Sequence, residues 1–256
     1  MGSHNGRGST GAASGAGNPD AGICLLLAVG LTAVYGGSPV LDNVSLGLAQ
    51  WSTMGITGPG GSGKSTLLRL FAGFGAQASV ISGSITRYSG SMYFMPQKPE
   101  RAPLNLATSL CERTGCSAAD LERQLRLIWL DQDEIAAELI DLLQTDYSSL
   151  CSDRRKLIDF TLAIAGCEPL LLLDEPDSVY DDMLLAAITR KLRELRGTRT
   201  ILLVSHNQRT IRNTCTRVVR MLDGVVVDDG DPADVFSKAL DLRVSAMQEY
   251  QGHYLS

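Results

Sequence analysis

The chain of 256 residues lacks the cysteine spacing that marks a structural metal site or a redox motif. Its six cysteines form no CxxC pair, and its three histidines complete no metal-ligand spacing with them. The cysteines are Cys24, Cys111, Cys116, Cys151, Cys167 and Cys215. Zinc sites of the common kinds need paired ligands at short spacing, so the pattern argues against them. We expect reduced thiols in a cytosolic protein.

A surplus of positive charge is also missing. The formal net charge is −5 and the sequence pI is near 5.2. Proteins that bind nucleic acid broadly neutralise its phosphates with clustered lysine and arginine, which an acidic total does not favour. We therefore expect no direct nucleic-acid partner.

The chain has no apolar run long enough to cross a bilayer as a helix. The segment ICLLLAVGLTAV (23–34) resembles the apolar part of a signal peptide, but it falls short of the roughly 20 residues that a spanning helix needs. We favour a buried first strand, because the segment GPGGSGKS that follows at 58–65 matches a phosphate-binding loop, whose nucleotide is cytosolic. Residues 1–20 are rich in glycine, serine, alanine and asparagine and predict a flexible tail, which leaves 21–256 as one domain.

A glycine-rich segment follows a short apolar stretch and precedes a helix-like run, in MGITGPGGSGKSTLLRLFAGF. It matches GxxxxGK[ST] in full, in the strand–loop–helix context that a phosphate-binding loop requires. The predicted nucleotide-binding residues are Gly58, Pro59, Gly60, Gly61, Ser62, Gly63, Lys64, Ser65 and Thr66. In such a loop the backbone N–H groups face phosphate oxygens, Lys64 reaches the β- and γ-phosphates, and Ser65 binds Mg²⁺. ATP and Mg²⁺ are thus the expected cofactors.

Three further segments end in polar side chains that suit phosphoryl transfer. The apolar run LLLLDE (170–175) is typical of a strand buried on both faces, and it predicts Asp174 as a metal ligand and Glu175 as the general base. TRTILLVSHN predicts another strand, with His206 at its carboxyl end as a contact to the γ-phosphate. SMYFMPQKPE predicts a third, with Gln97 positioned to touch metal and water.

Taken in order, Lys64, Gln97, Asp174, Glu175 and His206 resemble the ATP-binding-cassette (ABC) ATPases from about residue 22 onward. The resemblance implies an α/β P-loop NTPase core with a mostly parallel sheet, an N-terminal antiparallel β part and a small helical subdomain over about 98–150. It also implies that Tyr35 stacks on adenine and that Asp181 faces the other subunit. A C-terminal tail covers about 231–256.

Three stretches resemble more narrowly the ATPase subunit of bacterial phosphate importers. They are PQKPERAPLNLATSL, SHNQRTIRNTCTRVVRMLDGVVV and the ending DVFSKALDLRVSAMQEYQGHYLS. This kinship implies a motor subunit that pairs with a second ATPase chain and with separate transmembrane permease subunits. Such a subunit lies peripherally on the cytoplasmic face of the membrane and does not bind the transported solute itself.

Other functions are compatible with part of the pattern. One is a non-transport ABC ATPase acting on DNA, ribosomes or Fe–S assembly; the members acting on DNA carry long coiled coils and the translation factors usually carry two cassettes, and the sequence contains neither feature. A P-loop kinase or GTPase would lack the ordered Gln, Asp-Glu-Pro and Ser-His elements. A regulatory, weakly hydrolysing ABC subunit remains open.

The segment LCSDRR (150–155) aligns with the LSGGQ signature of the family but contains no glycine, and none occurs between Gly115 and Gly166. The expected dimer-interface residues are Leu150, Cys151, Ser152, Asp153 and Arg154. The resemblance implies that this motif reaches the γ-phosphate on the opposite chain, where Asp153 would bring a carboxylate near phosphate and Arg154 would offset part of the repulsion. We expect slow hydrolysis by the isolated chain, faster after restoration of LSGGQ. A tolerant homodimer and a heterodimer with one weak site both remain open.

Overall fold

The computed structural model describes residues 23–74, 78–87, 90–99 and 103–238. The predicted tail over 1–20 and the part of the C-terminal tail beyond residue 238 lie outside the described residues. Within the described ranges the chain folds into two sheets with helices packed on them, which confirms the predicted α/β class.

The strands in chain order are β1 Cys24–Tyr35, β2 Ser38–Ala49, β3 Thr53–Thr57, β4 Ala78–Arg87, β5 Met92–Met95, β6 Leu170–Asp174, β7 Thr200–Val204, β8 Arg217–Leu222 and β9 Val225–Gly230. A six-stranded sheet has the order β5-β6-β7-β3-β8-β9 and is parallel except for the β8–β9 pair. Every residue of β3, β6 and β7 is buried, as expected for parallel strands covered on both faces.

A smaller antiparallel sheet, in the order β2-β1-β4, confirms the predicted N-terminal β part. The segment ICLLLAVGLTAV lies almost wholly in β1, where Leu26, Ala28, Leu31 and Ala33 are buried. This segment is thus a core strand, as the sequence predicted. No helix within the described ranges is long and apolar enough to cross a membrane.

The helices are α1 Lys64–Ala72, α2 Leu106–Thr114, α3 Leu121–Ile128, α4 Asp133–Asp141, α5 Ser152–Ala165, α6 Asp182–Glu194 and α7 Gln208–Thr214, with 3₁₀ turns at Ala118–Asp120 and Tyr147–Ser149. Residues 232–238 are also helical. Helices α2, α3 and α4 lie between β5 and α5 in the chain, in the region predicted to be helical. On α3, Leu121 and Leu125 are buried in the core.

Strand β6 separates the two halves of the core, because successive side chains of a strand point to opposite faces. Leu171 and Leu173 pack with helices α2 to α6, whereas Leu170 and Leu172 pack with α1 and the antiparallel sheet. The parallel register of β3, β6 and β7 brings the carboxyl ends of these strands to one edge of the sheet. The predicted site residues follow these ends.

Candidate nucleotide-binding and hydrolysis site

The loop between β3 and α1 needs glycine at two positions for steric reasons. Gly63 has φ 94°, and a Cβ there would lie 2.5 Å from the carbonyl oxygen of Val40. At Gly58, φ is 147° and a Cβ would lie 2.1 Å from the carbonyl oxygen of Met221. Any side chain would therefore clash with backbone in a conformation that L-residues rarely adopt. The glycines let the loop close on the start of α1.

Lys64 is the first residue of α1, and its ammonium lies within the curve of the loop. Only 5% of the residue is exposed. Its Nζ donates to the carbonyl oxygens of Gly58 at 2.9 Å and Pro59 at 2.7 Å, and to Oγ of Ser62 at 3.3 Å. Burial lowers the pKa of Lys64 from its usual value, although the nearby carboxylates of the β6 end oppose this shift. The loop thus holds a cation beside backbone N–H groups at a helix N-terminus, an arrangement suited to phosphate.

Ser65 and Asp174 form the part of the site that suits a divalent cation. Ser65 Oγ donates to Oδ1 of Asp174 at 3.1 Å. Asp174 is fully buried and its Oδ2 has no hydrogen-bond partner among the described residues. Burial is the main cause that raises the pKa of Asp174 above its usual value. A buried, unpaired carboxylate oxygen beside a hydroxyl is a hard oxygen donor set, which fits Mg²⁺.

The described residues contain no cluster of three or more His, Cys, Asp or Glu side chains that could hold a metal. In proteins Mg²⁺ is commonly bound through one or two carboxylates together with substrate phosphates and water. Gln97, also predicted as a metal ligand, contacts Glu175 in this structure.

Glu175 is held from both sides by the two other predicted polar residues. Nε2 of Gln97 donates to its Oε2 at 2.8 Å, and Nε2 of His206 lies 3.1 Å from its Oε1. The backbone of Glu175 has φ 53°, in the left-handed region that costs a non-glycine residue about 1–2 kcal/mol. Its backbone N–H donates to the carbonyl oxygen of Val204 at 2.9 Å. The fold therefore brings the side chains of Gln97, Glu175 and His206 together, and the backbone of Glu175 is strained at this point.

Tyr35 lies on the other side of the loop. It is 49% exposed and lines a cavity of about 350 Å³ together with Val40 and the Gly61–Arg69 region. Thr66 lines the same cavity. An exposed aromatic ring beside a phosphate loop offers a flat apolar surface for a base.

The predicted signature differs from expectation in the direction of its side chains. Leu150 is buried, and Cys151 and Ser152 are exposed. Asp153 is only 8% exposed, and its Oδ2 accepts the backbone N–H groups of Tyr180 and Asp181, each at 2.9 Å. In this conformation the Asp153 carboxylate is thus bonded within its own chain, and its contact with a partner's phosphate in a dimer stays a prediction.

The neighbouring residues also interact locally. Arg154 forms an ion pair with Glu138 of α4 at 2.9 Å, which satisfies its charge away from the phosphate loop. The pKa of the Cys151 thiol is lowered, chiefly by a hydrogen bond from the backbone N–H of Arg154. Asp181, expected to face another subunit, caps α6: its Oδ1 accepts the N–H groups of Met183 at 2.8 Å and Leu184 at 3.2 Å.

Two interactions near the site were not predicted from the sequence. Ser205 Oγ donates to Oδ2 of the buried Asp177 at 2.7 Å, and so joins the segments that carry Glu175 and His206. Lys156 Nζ donates to the carbonyl oxygen of Gln97 at 3.0 Å. One signal was available for Lys156, since positions 153, 156 and 159 share a face of α5 and all carry charge.

The chain matches the model of the family described as ABC transporter over residues 41–178, which include the phosphate loop, Gln97 and Glu175. Since the match covers more than half of the chain, the protein belongs to the ABC transporter family.

Two relatives and one solved structure define what the chain is similar to. It is 30% identical over 232 residues to the "Fe(3+) ions import ATP-binding protein FbpC" of Streptomyces coelicolor, covering 86% of this chain and 66% of that protein. It is 26% identical over 245 residues to the "Phosphate import ATP-binding protein PstB 2" of Mycobacterium tuberculosis, covering 89% of each. A structure titled as an ATP-binding subunit of an ABC transporter has a TM-score of 0.69 at 22% identity, covers 84% of this chain and 92% of that one, and supports the fold.

Proposed function

We propose that this chain is the ATP-hydrolysing motor subunit of an ABC importer. The observation that carries the proposal is the placement of Glu175. Its side chain contacts both Gln97 and His206, and it lies at the edge of the sheet where β3 leads into the phosphate loop. A carboxylate in that position can accept a proton from an attacking water, and its two neighbours limit its rotation.

The remaining site residues have complementary roles. Lys64 and the backbone N–H groups of the loop bind the β- and γ-phosphates. The loop backbone points these donors toward the space that it encloses. Ser65, Asp174 and Gln97 would hold a magnesium ion, which would supply positive charge next to the phosphates. His206 orients the γ-phosphate, and Tyr35 stacks on the adenine ring.

The motor requires partners. We assign it a second ABC ATPase chain and separate transmembrane permease subunits, on whose cytoplasmic side it lies peripherally. The proposed domain spans 21–256, with the permease coupled through the helical part over about 98–150. Two backbone hydrogen bonds join the beginning and the end of this helical part, which supports its being a separate subdomain. The N–H group of Ala107 donates to the carbonyl oxygen of Leu143, and that of Tyr147 donates to the carbonyl oxygen of Leu104.

The proposed solute is phosphate. Support comes from the Mycobacterium phosphate-import relative, which aligns over 89% of both chains, whereas the chain covers only 66% of the length of the Fe(3+) relative. The three stretches that resemble phosphate-importer subunits point the same way. The solute itself is bound by other subunits, so the ATPase site carries no chemistry that selects it.

Hydrolysis is tested by Glu175→Gln. The variant keeps the shape of the side chain and one acceptor oxygen but removes its basicity, so turnover should fall at least about 100-fold while ATP binding persists and an ATP-bound dimer accumulates. Glu122→Gln, an exposed position on α3, is the matched control and should retain parental turnover. Parental turnover in Glu175→Gln would remove Glu175 from the mechanism.

The solute is tested in the source cell. Deletion of the gene should impair growth at limiting phosphate, and the parental gene, but not its Glu175→Gln form, should restore it. Normal phosphate uptake in a deletion strain without a second phosphate importer would assign another solute, with Fe(3+) the first to examine.

A second candidate, a weakly hydrolysing or regulatory ABC ATPase, is favoured by one observation. The signature segment bonds Asp153 within its own chain and carries none of the glycines that permit close approach to a partner's phosphate. In a heterodimer this chain would contribute one strong site and one weak one. Turnover of the purified chain alone, compared with that of the chain in its native complex, separates the two arrangements.

A further inference from the structure

Helix α5 begins in the divergent signature segment, and its first turns carry charged side chains into the protein interior. Asp153 and Lys156 are each only 8% exposed, and they lie about one helical turn from each other on the same face of α5. Burial of a charged group is costly unless hydrogen bonds compensate it. The contacts of these two residues therefore indicate what each stabilises.

Asp153 is bonded to the segment that follows Glu175. Its Oδ2 accepts the N–H groups of Tyr180 and Asp181, and its Oδ1 accepts Oγ of Ser152 at 3.2 Å. Hydrogen bonds to a charged acceptor are roughly twice as strong as neutral ones. The carboxylate thus fixes the backbone between β6 and α6 at the point where α6 receives its cap from Asp181.

Lys156 is hydrogen-bonded to Gln97, which contacts the carboxylate of Glu175. Its Nζ donates to the carbonyl oxygen of Gln97, and the amide of Gln97 donates to Glu175 at 2.8 Å. The positive charge also lies near Asp159, Glu175, Asp174 and Asp177, whose fields favour it. Burial nevertheless dominates and lowers the pKa of Lys156.

We propose that Asp153 and Lys156 are positioning residues for hydrolysis, which together form a bracket that fixes Glu175 through the 178–181 segment on one side and through Gln97 on the other. This rests on the proposed function. It assigns to the segment that replaces LSGGQ a role within its own chain. The first turn of α5 holds the chain's own general base instead of only facing a partner's nucleotide.

The bracket is read directly by hydrogen–deuterium exchange on the nucleotide-free full-length chain. Asp153→Ala should speed exchange at the amides of Tyr180 and Asp181 at least about 10-fold, because these N–H groups lose their acceptor. Asp153→Asn retains an oxygen acceptor and should restore much of the protection. Asp141→Ala, exposed at the end of α4, is the control and should exchange as the parent does.

Turnover tests the positioning role. Asp153→Ala and Lys156→Met should each lower kcat about 10-fold, since small displacements of a catalytic group have large costs, while the KM for ATP stays within about 2-fold because the phosphate loop is untouched. Asp153→Asn should recover most of the kcat.

Two results would overturn the bracket. One is parental exchange at Tyr180 and Asp181 in Asp153→Ala; the other is a parallel loss of kcat, ATP affinity and folding stability in both variants, which would indicate a purely structural role. Failure of the proposed function has a different signature: a parent chain that hydrolyses no ATP, alone or in its complex, whatever its exchange pattern.

Discussion

The two halves of the candidate site use their charged side chains and backbone N–H groups in different ways. On the phosphate-loop side, glycines at positive φ turn backbone N–H groups and Lys64 toward a place for an anion. On the signature side there are no glycines, and the buried carboxylate of Asp153 binds backbone N–H groups of its own chain. The first arrangement leaves charge available to a ligand, whereas the second uses it internally.

If the proposed bracket operates, a divergent motif need not be an inactive one. The loop over 58–65 keeps the geometry that a nucleotide requires, so its function follows from its own residues. The segment over 150–156 carries none of the signature glycines, and it contacts Gln97 through Lys156 and the backbone of Tyr180 and Asp181 through Asp153. Breaking each half separately tests whether the comparison holds.

The largest effect is expected on the phosphate-loop side. Lys64→Ala should weaken ATP binding at least about 100-fold, because it removes charge-assisted contacts to phosphate that are worth about 1.5–3 kcal/mol each. Equilibrium binding of a fluorescent ATP analogue with Mg²⁺ measures the change. Lys238→Ala, an exposed lysine, serves as the control, and unchanged binding in Lys64→Ala would refute the phosphate-loop assignment.

His206→Ala should affect hydrolysis and leave binding intact. The side chain is half exposed and contacts Glu175, so its loss should lower turnover about 100-fold with little change in ATP affinity. Steady-state hydrolysis and equilibrium binding on the same preparation separate the two quantities. Gln208→Ala, at the exposed start of α7, is expected to match the parent. A loss of affinity as large as the loss of turnover would make His206 a binding residue instead.

The sequence predicted the phosphate-loop half well because backbone geometry there depends on local residues. Gly58 and Gly63 are required by close approach, and continuous apolar runs reveal the strands that end at Asp174 and at Val204, two residues before His206. The direction of Asp153 could not be predicted in the same way. Its partners lie 27 and 28 residues away in the chain, and only the packing of α5 against the end of β6 brings them together.

Asp153→Gly distinguishes two explanations of the divergent signature by the sign of its effect. If the missing glycines limit hydrolysis, this substitution should raise turnover, as expected from restoration of LSGGQ. If the bracket holds Glu175, turnover should fall about 10-fold, because the N–H groups of Tyr180 and Asp181 lose their acceptor.

We expect the fall. The companion variant C151S/R154Q leaves Asp153 in place and serves as the comparison, with turnover within about 2-fold of the parent. A rise in turnover in Asp153→Gly would show that the signature acts mainly across the dimer.

The smallest expected effect is on the pH dependence of stability. It concerns Asp159, which lies further along the same face of α5. Asp159 accepts a hydrogen bond from Tyr147 at 2.8 Å, and burial raises its pKa from an ordinary 3.8 to about 6, despite that bond and the charges of Lys156 and Arg155. Between about pH 4 and pH 6 the folded chain then binds more protons here than the unfolded chain. The contribution of Asp159 to the free energy of unfolding therefore falls as pH rises through this window and is constant above it.

Asp159→Asn keeps an acceptor for Tyr147 but cannot ionise, so it should remove this part of the pH dependence. Urea unfolding at several pH values from 4 to 7 measures it, and the stability of the variant relative to the parent should increase with pH up to about pH 6. The comparison with the parent cancels the other carboxylates, including Asp174 and Asp177, whose pKa values burial also raises. Asp141→Asn, exposed on α4, is the matched control. A constant difference between Asp159→Asn and the parent would mean that Asp159 titrates in the folded chain as it does in the unfolded one.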